Sequence, residues 1–148
     1  MSARNDVEEL LSRTGLRLTA SRAAIVDAVL SMDGPFSVSA LGEAVARVAP
    51  GVGRASVFRT LSLLTDLSVV QRLHGAAGHE RYVVCVGRQH HHHATCTACG
   101  KTVEFVLDAP SDLEAAIGAA VGALGFRPAT HILEVLGLCS TCDAERRA

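Results

Sequence analysis

The chain has 148 residues, 49% of them apolar and only 3% aromatic, with no tryptophan and a formal net charge of −1. That length is too great for a staple-dependent mini-protein and short for two full-sized domains, which leaves one domain or two small ones around aliphatic cores. No apolar run approaches the roughly 20 residues a membrane helix needs, and a charge near zero gives no general attraction to nucleic acid.

The N-terminal stretch carries Asn5, Asp6, Glu8 and Glu9, acidic where a secretory signal would be basic and then apolar, so a cytoplasmic protein is expected. Through about residue 70 the apolar spacing is helical. Asp6 to Arg13 places Val7, Leu10 and Leu11 on one face. Thr19 can cap a second helix through Ile25, Val26, Val29 and Leu30, ended by Gly34-Pro35. Ser39 can cap a third through Leu41, Val45 and Val48, and a fourth runs from about Arg54 to Asp66 with Val57, Leu61 and Leu64 inward. Every basic residue up to that point is arginine, the side chain suited to bidentate contact with phosphate and guanine.

The period then changes to two. Val69 to Leu73 and Arg81 to Val86 read as strands around a hairpin tip, His74 to His79. Short helices followed by a β-hairpin form a winged helix, a helix-turn-helix variant whose recognition element here would be Arg54 to Asp66. From Gly87 the composition shifts to His, Cys and β-formers. His90 to Thr95, Thr102 to Val106 and Thr130 to Leu138 read as strands. Pro110 opens a helix through Leu113, Ile117, Val121 and Leu124 that Gly125 closes, and the stretch Ala115 to Phe126 should face a core. The fold class is therefore α+β: a winged helix-turn-helix over 1–86 and a small α/β domain over 90–148.

Two pairs, Cys96-x-x-Cys99-Gly100 and Cys139-x-x-Cys142, hold four of the five cysteines. In a reducing cytosol such pairs are zinc ligands before they are disulfides. Each turn presents two thiolates on one side of the ion, and four protein ligands make a closed, structural site. The run His90-His91-His92-His93 leads into the first pair. On a strand, successive side chains point to opposite faces, so His90 with His92 and His91 with His93 can serve two metal sites. Cys85, alone on an apolar strand, reads either as a buried small hydrophobe or as a thiolate ligand beside the histidines. Glu114 and His131 say little by themselves.

Together these residues resemble the ferric-uptake-regulator family. The resemblance is carried by Gly15-Leu16-Arg17-Leu18-Thr19-Ala20-Ser21-Arg22, by Ala55-Ser56-Val57-Phe58-Arg59-Thr60-Leu61, by the His run with Cys96-Thr97-Ala98-Cys99-Gly100-Lys101, and by Gly137-Leu138-Cys139 through Cys142. It implies a hinge at about 86–89, a C-terminal dimerisation domain, and a homodimer on double-stranded operator DNA of AT-rich inverted-repeat type. DNA contact falls to Arg17, Thr19 and Arg22, and to Arg54, Ser56, Phe58 and Arg59 of the recognition helix. Many relatives have Tyr where this chain has Phe58. Iron-sensing relatives have a carboxylate at Cys85 and a His at Ser37, so the soft donor here resembles the zinc-uptake regulators. Cys85 would then join His91, His93 and a wing ligand in a sensor site, with His74 first and His79 or Glu80 in reserve; relatives with a wing Asp would place it at Gln71. His90, His92, Glu114 and His131 match an additional site. The function implied is a zinc-responsive repressor of zinc-uptake genes, with structural and regulatory zinc as its cofactor. A sensor of iron, nickel or manganese is the alternative. A zinc-dependent hydrolase would need an open coordination position and a nearby base, and no His-Glu-x-x-His helix is present.

Overall fold

A computed structural model describes residues 3–74, 80–86, 91–107, 110–129 and 131–147. The chain divides into two compact units, Met1–Arg88 and Gln89–Ala148.

The first unit begins with four helices, α1 (Ala3–Arg13), α2 (Ala20–Leu30), α3 (Val38–Val48) and α4 (Arg54–Asp66). Their inward stripes meet in one aliphatic core: Val7 and Leu11, Ile25, Val26 and Val29, Leu41 and Val45, then Val57, Leu61 and Leu64. Side chains of this kind stabilise by about 1.5–3 kcal/mol each when fully buried, which is why so few aromatic residues suffice. Thr19 caps α2, its Oγ1 accepting from the Arg22 N–H at 3.3 Å. The cap of α3 is Ser37 rather than Ser39: its Oγ accepts from the Ala40 N–H at 3.1 Å. Ser37 stands in extended backbone just before the helix, whereas Ser39 already lies within it. That geometry, not residue type, decides between two serines two positions apart.

Ser68, in the left-handed region at φ 57°, turns the chain out of α4 into a hairpin of β1 (Val70–Leu73) and β2 (Arg81–Val84). The strands run antiparallel with Val70 opposite Val84 and Leu73 opposite Arg81. Phe36 joins the sheet through two 2.8 Å backbone bonds with Tyr82, and the two rings stack with centroids 6.1 Å apart. The hairpin is thus sewn to the helices by the segment between α2 and α3. His79 and most of the expected tip lie outside the described residues, as do positions 87–89 of the expected hinge.

The second unit holds a three-stranded sheet in the order β4 (Thr102–Phe105), β3 (His92–Cys96), β5 (Glu134–Gly137), with β3 antiparallel to β4 and parallel to β5. Helix α5 (Pro110–Gly122) makes the crossover, and α6 (Ser140–Arg147) follows β5. Strand β3 starts two residues later than the alternation suggests, and β5 covers only the latter half of its expected span. Helix α5 departs from expectation more sharply. None of its described side chains is buried, and Leu124 and Phe126 beyond it are 75% and 69% exposed. Its apolar stripe, Leu113, Ile117 and Val121, is only half-buried within the single chain. Helix α6 was not anticipated, although Asp143 early and Arg146 and Arg147 late suit the helix dipole.

Leu41 is fully buried between α3 and its neighbours. Leu41→Ala should lower the stability of the helical unit by about 2–5 kcal/mol, read from urea unfolding by circular dichroism. Metal content should stay at the wild-type level, because the cysteine pairs lie in the other unit.

Candidate metal centre and nucleic-acid interface

The cysteine pairs are built from two kinds of turn. Cys96 closes β3, and the chain doubles back through Thr97, Ala98 and Cys99. The Gly100 N–H reaches Cys96 O at 2.9 Å, and the Cys96 N–H reaches Lys101 O at 2.8 Å. Gly100 completes the turn at φ +74°, a conformation other residues adopt only with strain. The second pair straddles a strand end and a helix start: Cys139 follows β5, Cys142 lies in the first turn of α6, and the Asp143 N–H bonds Cys139 O at 2.9 Å. The two turns are tied by the Thr97 N–H to Gly137 O at 2.7 Å.

This brings all four sulfurs within 4.8 Å of one another. Cys99 and Cys139 Sγ are 3.8 Å apart. A disulfide needs about 2.05 Å, and none of these four cysteines is in one. A tetrahedron with Zn–S of about 2.3 Å has edges of about 3.8 Å, so the spacing suits a tetrahedral soft cation. The electrostatics agree. The backbone N–H of Cys99, and then that of Cys139, hold the Cys96 thiol down to about 6, the latter at 3.3 Å from its sulfur. The Cys139 thiol is also lowered, chiefly by the Cys142 N–H. Cys142 is pushed up to about 12, first by its hydrogen bonding with the Cys139 sulfur and then with that of Cys99. Four negative sulfurs cannot share this space without a cation, and a divalent ion reverses that cost.

Among the histidines, alternation along the strand separates two faces as expected. His91 and His93 stand edge to face with centroids 5.0 Å apart, and ring nitrogens of the two lie within 4.8 Å. His93 has no solvent exposure. His92, also buried, lies 5.4 Å from His131 and 5.5 Å from Phe105 by ring centroids. Glu114 is exposed on α5 and belongs to no group of three or more metal-competent side chains among the described residues. His90 lies outside the described residues. In the first unit, Cys85 follows β2 half-buried, its N–H bonded to Val69 O at 2.8 Å. His74 is exposed where β1 ends, and Gln71 is half-buried within β1. Glu80 has both oxygens engaged, one by Arg72 and the other by the Tyr82 hydroxyl at 3.2 Å. This weakens it as a reserve metal ligand.

Helix α4 presents Arg54, Phe58 and Arg59 to solvent, with Ser56 half-buried and Val57, Thr60, Leu61 and Leu64 against the core. Phe58 is 53% exposed, unusual for so large an apolar ring. Arg59 Nη2 donates to Ser56 Oγ at 3.2 Å, which holds the guanidinium along the helix surface. Arg17 is exposed ahead of α2, and its carbonyl receives Arg22 Nη1.

Residues 13–136 match the ferric uptake regulator family. The chain belongs to that family. A zinc uptake regulation protein of Mycobacterium tuberculosis is 32% identical over 132 residues, covering 89% of this chain and 98% of its own. A ferric uptake regulation protein of Bacillus subtilis is 31% identical over 142 residues, covering 94% and 93%. A zinc uptake regulator complexed with zinc and DNA superposes with TM-score 0.65 at 23% identity, over 98% of this chain and 95% of that one. As a ferric uptake regulator family member the chain is a metal-responsive, DNA-binding transcription regulator and not an enzyme. Its two units are the family's N-terminal winged helix and C-terminal dimerisation domain. Two features went unread in the sequence. One is the helix start beneath Cys142. The other is a buried Thr95 whose hydroxyl meets Glu134 at 3.0 Å, signalled only by a polar residue at a core position of β3.

The thiol shifts set an expectation for metal uptake. Near neutral pH, Cys96 is already ionised, since its pKa lies near 6, below its ordinary 9.0. The first zinc equivalent returned to chelator-stripped protein should therefore release fewer than the four protons that four ordinary thiols would yield. Titration calorimetry in buffers of different ionisation enthalpy counts them, and a release of four or more would show Cys96 to be an ordinary thiol.

Proposed function

We propose that this regulator is a cytoplasmic, zinc-responsive repressor whose zinc-loaded homodimer binds an AT-rich inverted repeat and silences zinc-uptake genes. The observation that carries the zinc reading is the donor chemistry. His91 and His93 offer two nitrogens within 4.8 Å. The only cysteine outside the four-cysteine cluster, Cys85, precedes His91 by six residues, a tether of at most about 22 Å. A thiolate with two imidazoles suits zinc over ferrous or manganous ions by ligand softness and by intrinsic affinity order. His74 at the end of β1 is the fourth ligand, ahead of Glu80 and His79. Ser37 supports the same choice. It serves as the cap of α3, where iron-sensing relatives have a His.

Cys96, Cys99, Cys139 and Cys142 take a structural zinc. An additional site would draw on His92 and His131, whose rings already adjoin, with His90 and Glu114. A second copy covers the apolar stripe of α5 with Leu124 and Phe126, which explains their exposure. Arg54, Ser56, Phe58 and Arg59 enter the major groove, where the Phe58 ring meets a thymine methyl, while Arg17, Thr19 and Arg22 meet the backbone or minor groove. Zinc at Cys85, His91 and His93 favours the arrangement of two winged helices that fits successive grooves. Moving such an equilibrium from 1:99 to 99:1 takes about 5.5 kcal/mol of differential binding. A zinc site can supply this, since structural zinc is worth about 10–16 kcal/mol.

The metal is tested by operator retardation titrated with buffered zinc, manganese and ferrous ions. Cys85→Ala should leave a folded dimer with its structural zinc but raise the zinc needed for binding by more than about 100-fold, beyond the roughly 10–100-fold that loss of an outer partner costs. Cys85→Asp should shift preference toward iron or manganese by restoring an oxygen donor. A wild-type zinc response from Cys85→Ala would refute the sensor assignment.

Arg59 tests the DNA face. Arg59→Ala should weaken operator binding by about 1–3 kcal/mol with dimerisation and zinc content unaltered. Unchanged affinity in a competitor titration would mean that α4 is not the reading helix.

A further inference from the structure

Helix α4 has one side that is fixed and one that is shown. Val57, Thr60, Leu61 and Leu64 are buried against the core, which sets the aspect of the outer side. Residues three apart on a helix are surface neighbours, and Ser56 and Arg59 are joined there: Arg59 Nη2 donates to Ser56 Oγ at 3.2 Å. Ser56 is half-buried, on the first turn of the helix, whereas Arg59 is exposed. The short side chain is therefore the anchor and the long one is held by it. A guanidinium carries five N–H donors in one plane. They make two edges able to form a parallel pair of bonds, Nε with Nη2 and Nη1 with Nη2. Nη2 belongs to both edges. A hydroxyl oxygen that takes one of its N–H groups closes one edge and leaves the other whole.

We propose that Ser56 is a positioning residue for Arg59, its hydroxyl oxygen occupying one edge of the guanidinium so that a single two-donor edge is presented to a guanine. The inference rests on the reading of α4 as the recognition helix. Guanine offers O6 and N7 as paired acceptors in the major groove, and a two-donor arginine edge matches that pair and no other base. An unrestrained arginine can offer either edge, or swing to a phosphate, where its contact carries no sequence information. The bond to Ser56 is made before DNA arrives, so less side-chain freedom is lost when the base contact forms. Its donor is cationic, which strengthens it over a neutral pair. Ser56 thus sharpens which base is read without itself having to touch that base.

The experiment uses the full, zinc-loaded chain and a duplex site selected by the wild-type protein from a random library. Every single base-pair change of that site is then measured by competition, and binding to the selected site is followed as salt is raised. Arg59→Ala locates the base pair that Arg59 reads, since discrimination is lost there. Ser56→Ala should lower the preference for guanine at that same pair by about 3–10-fold, the scale of one hydrogen bond. Preferences elsewhere, and the slope of affinity against salt, should stay at wild-type values. Ser56→Thr keeps an acceptor oxygen and should restore the preference. A purely structural role would not single out one base pair. Wild-type discrimination in Ser56→Ala overturns the assignment. So does an equal loss on all sequences, which with a shallower salt slope would make Ser56 a phosphate contact. Arg59→Ala separates the two levels. If it marks a base pair that Ser56→Ala leaves untouched, the reading helix stands and the positioning role falls. If Arg59→Ala marks none, both fall.

Discussion

The second unit depends on four sulfurs meeting at one point. Among its described residues, the only buried apolar side chain is Cys96, itself part of the cluster. A small domain without an aliphatic core cannot offset its chain entropy by burial. The cluster supplies what is missing: it fastens the end of β3 to the start of α6, through Cys139 N–H to Cys96 Sγ and Thr97 N–H to Gly137 O. The Cys96 and Cys139 thiols favour ionisation while Cys142 resists it, an arrangement that a divalent ion would complete.

The first unit is built on the opposite principle. Its helices converge on leucine, isoleucine and valine, and its helix starts are capped by Thr19 and Ser37. None of those core contacts involves a metal ligand. One half of the chain is thus held by aliphatic burial, and the other is joined at its sulfur cluster and carries a helix whose apolar face is only half-buried. A regulator needs this division: the part that meets DNA should keep its shape, and the part that reads metal should respond to it.

The buried polar groups of β3 follow from the same division. His92, His93 and Thr95 are all buried on one five-residue strand, at a cost that apolar side chains would not carry. Cys96 at the strand's end anchors it, and the histidines at its start are held at a fixed distance from that anchor by the rise of the strand. The structural cluster therefore sets the geometry in which the histidines sit.

Much of this was legible in the sequence. Periodicity located α2, α4 and the hairpin, because an aliphatic stripe at helical spacing has few other uses. The two Cys-x-x-Cys pairs announced a four-sulfur site, since two thiolates on one turn are half a tetrahedron. The alternation of His91 with His92 followed from the pleat alone. Other features were decided only in three dimensions. Ser37 rather than Ser39 caps α3 because the cap is defined by backbone angle, which residue type does not reveal. Stripe spacing made α5 look like a core helix, yet its apolar face is only half-buried, because a stripe states that something is covered and not by what. Glu134 and Thr95 are 39 positions apart, and only the parallel pairing of β5 with β3 brings them together. Local periodicity carries no information about which strand lies beside which; that is fixed by the crossover through α5 and by the cysteines that pin the strand ends.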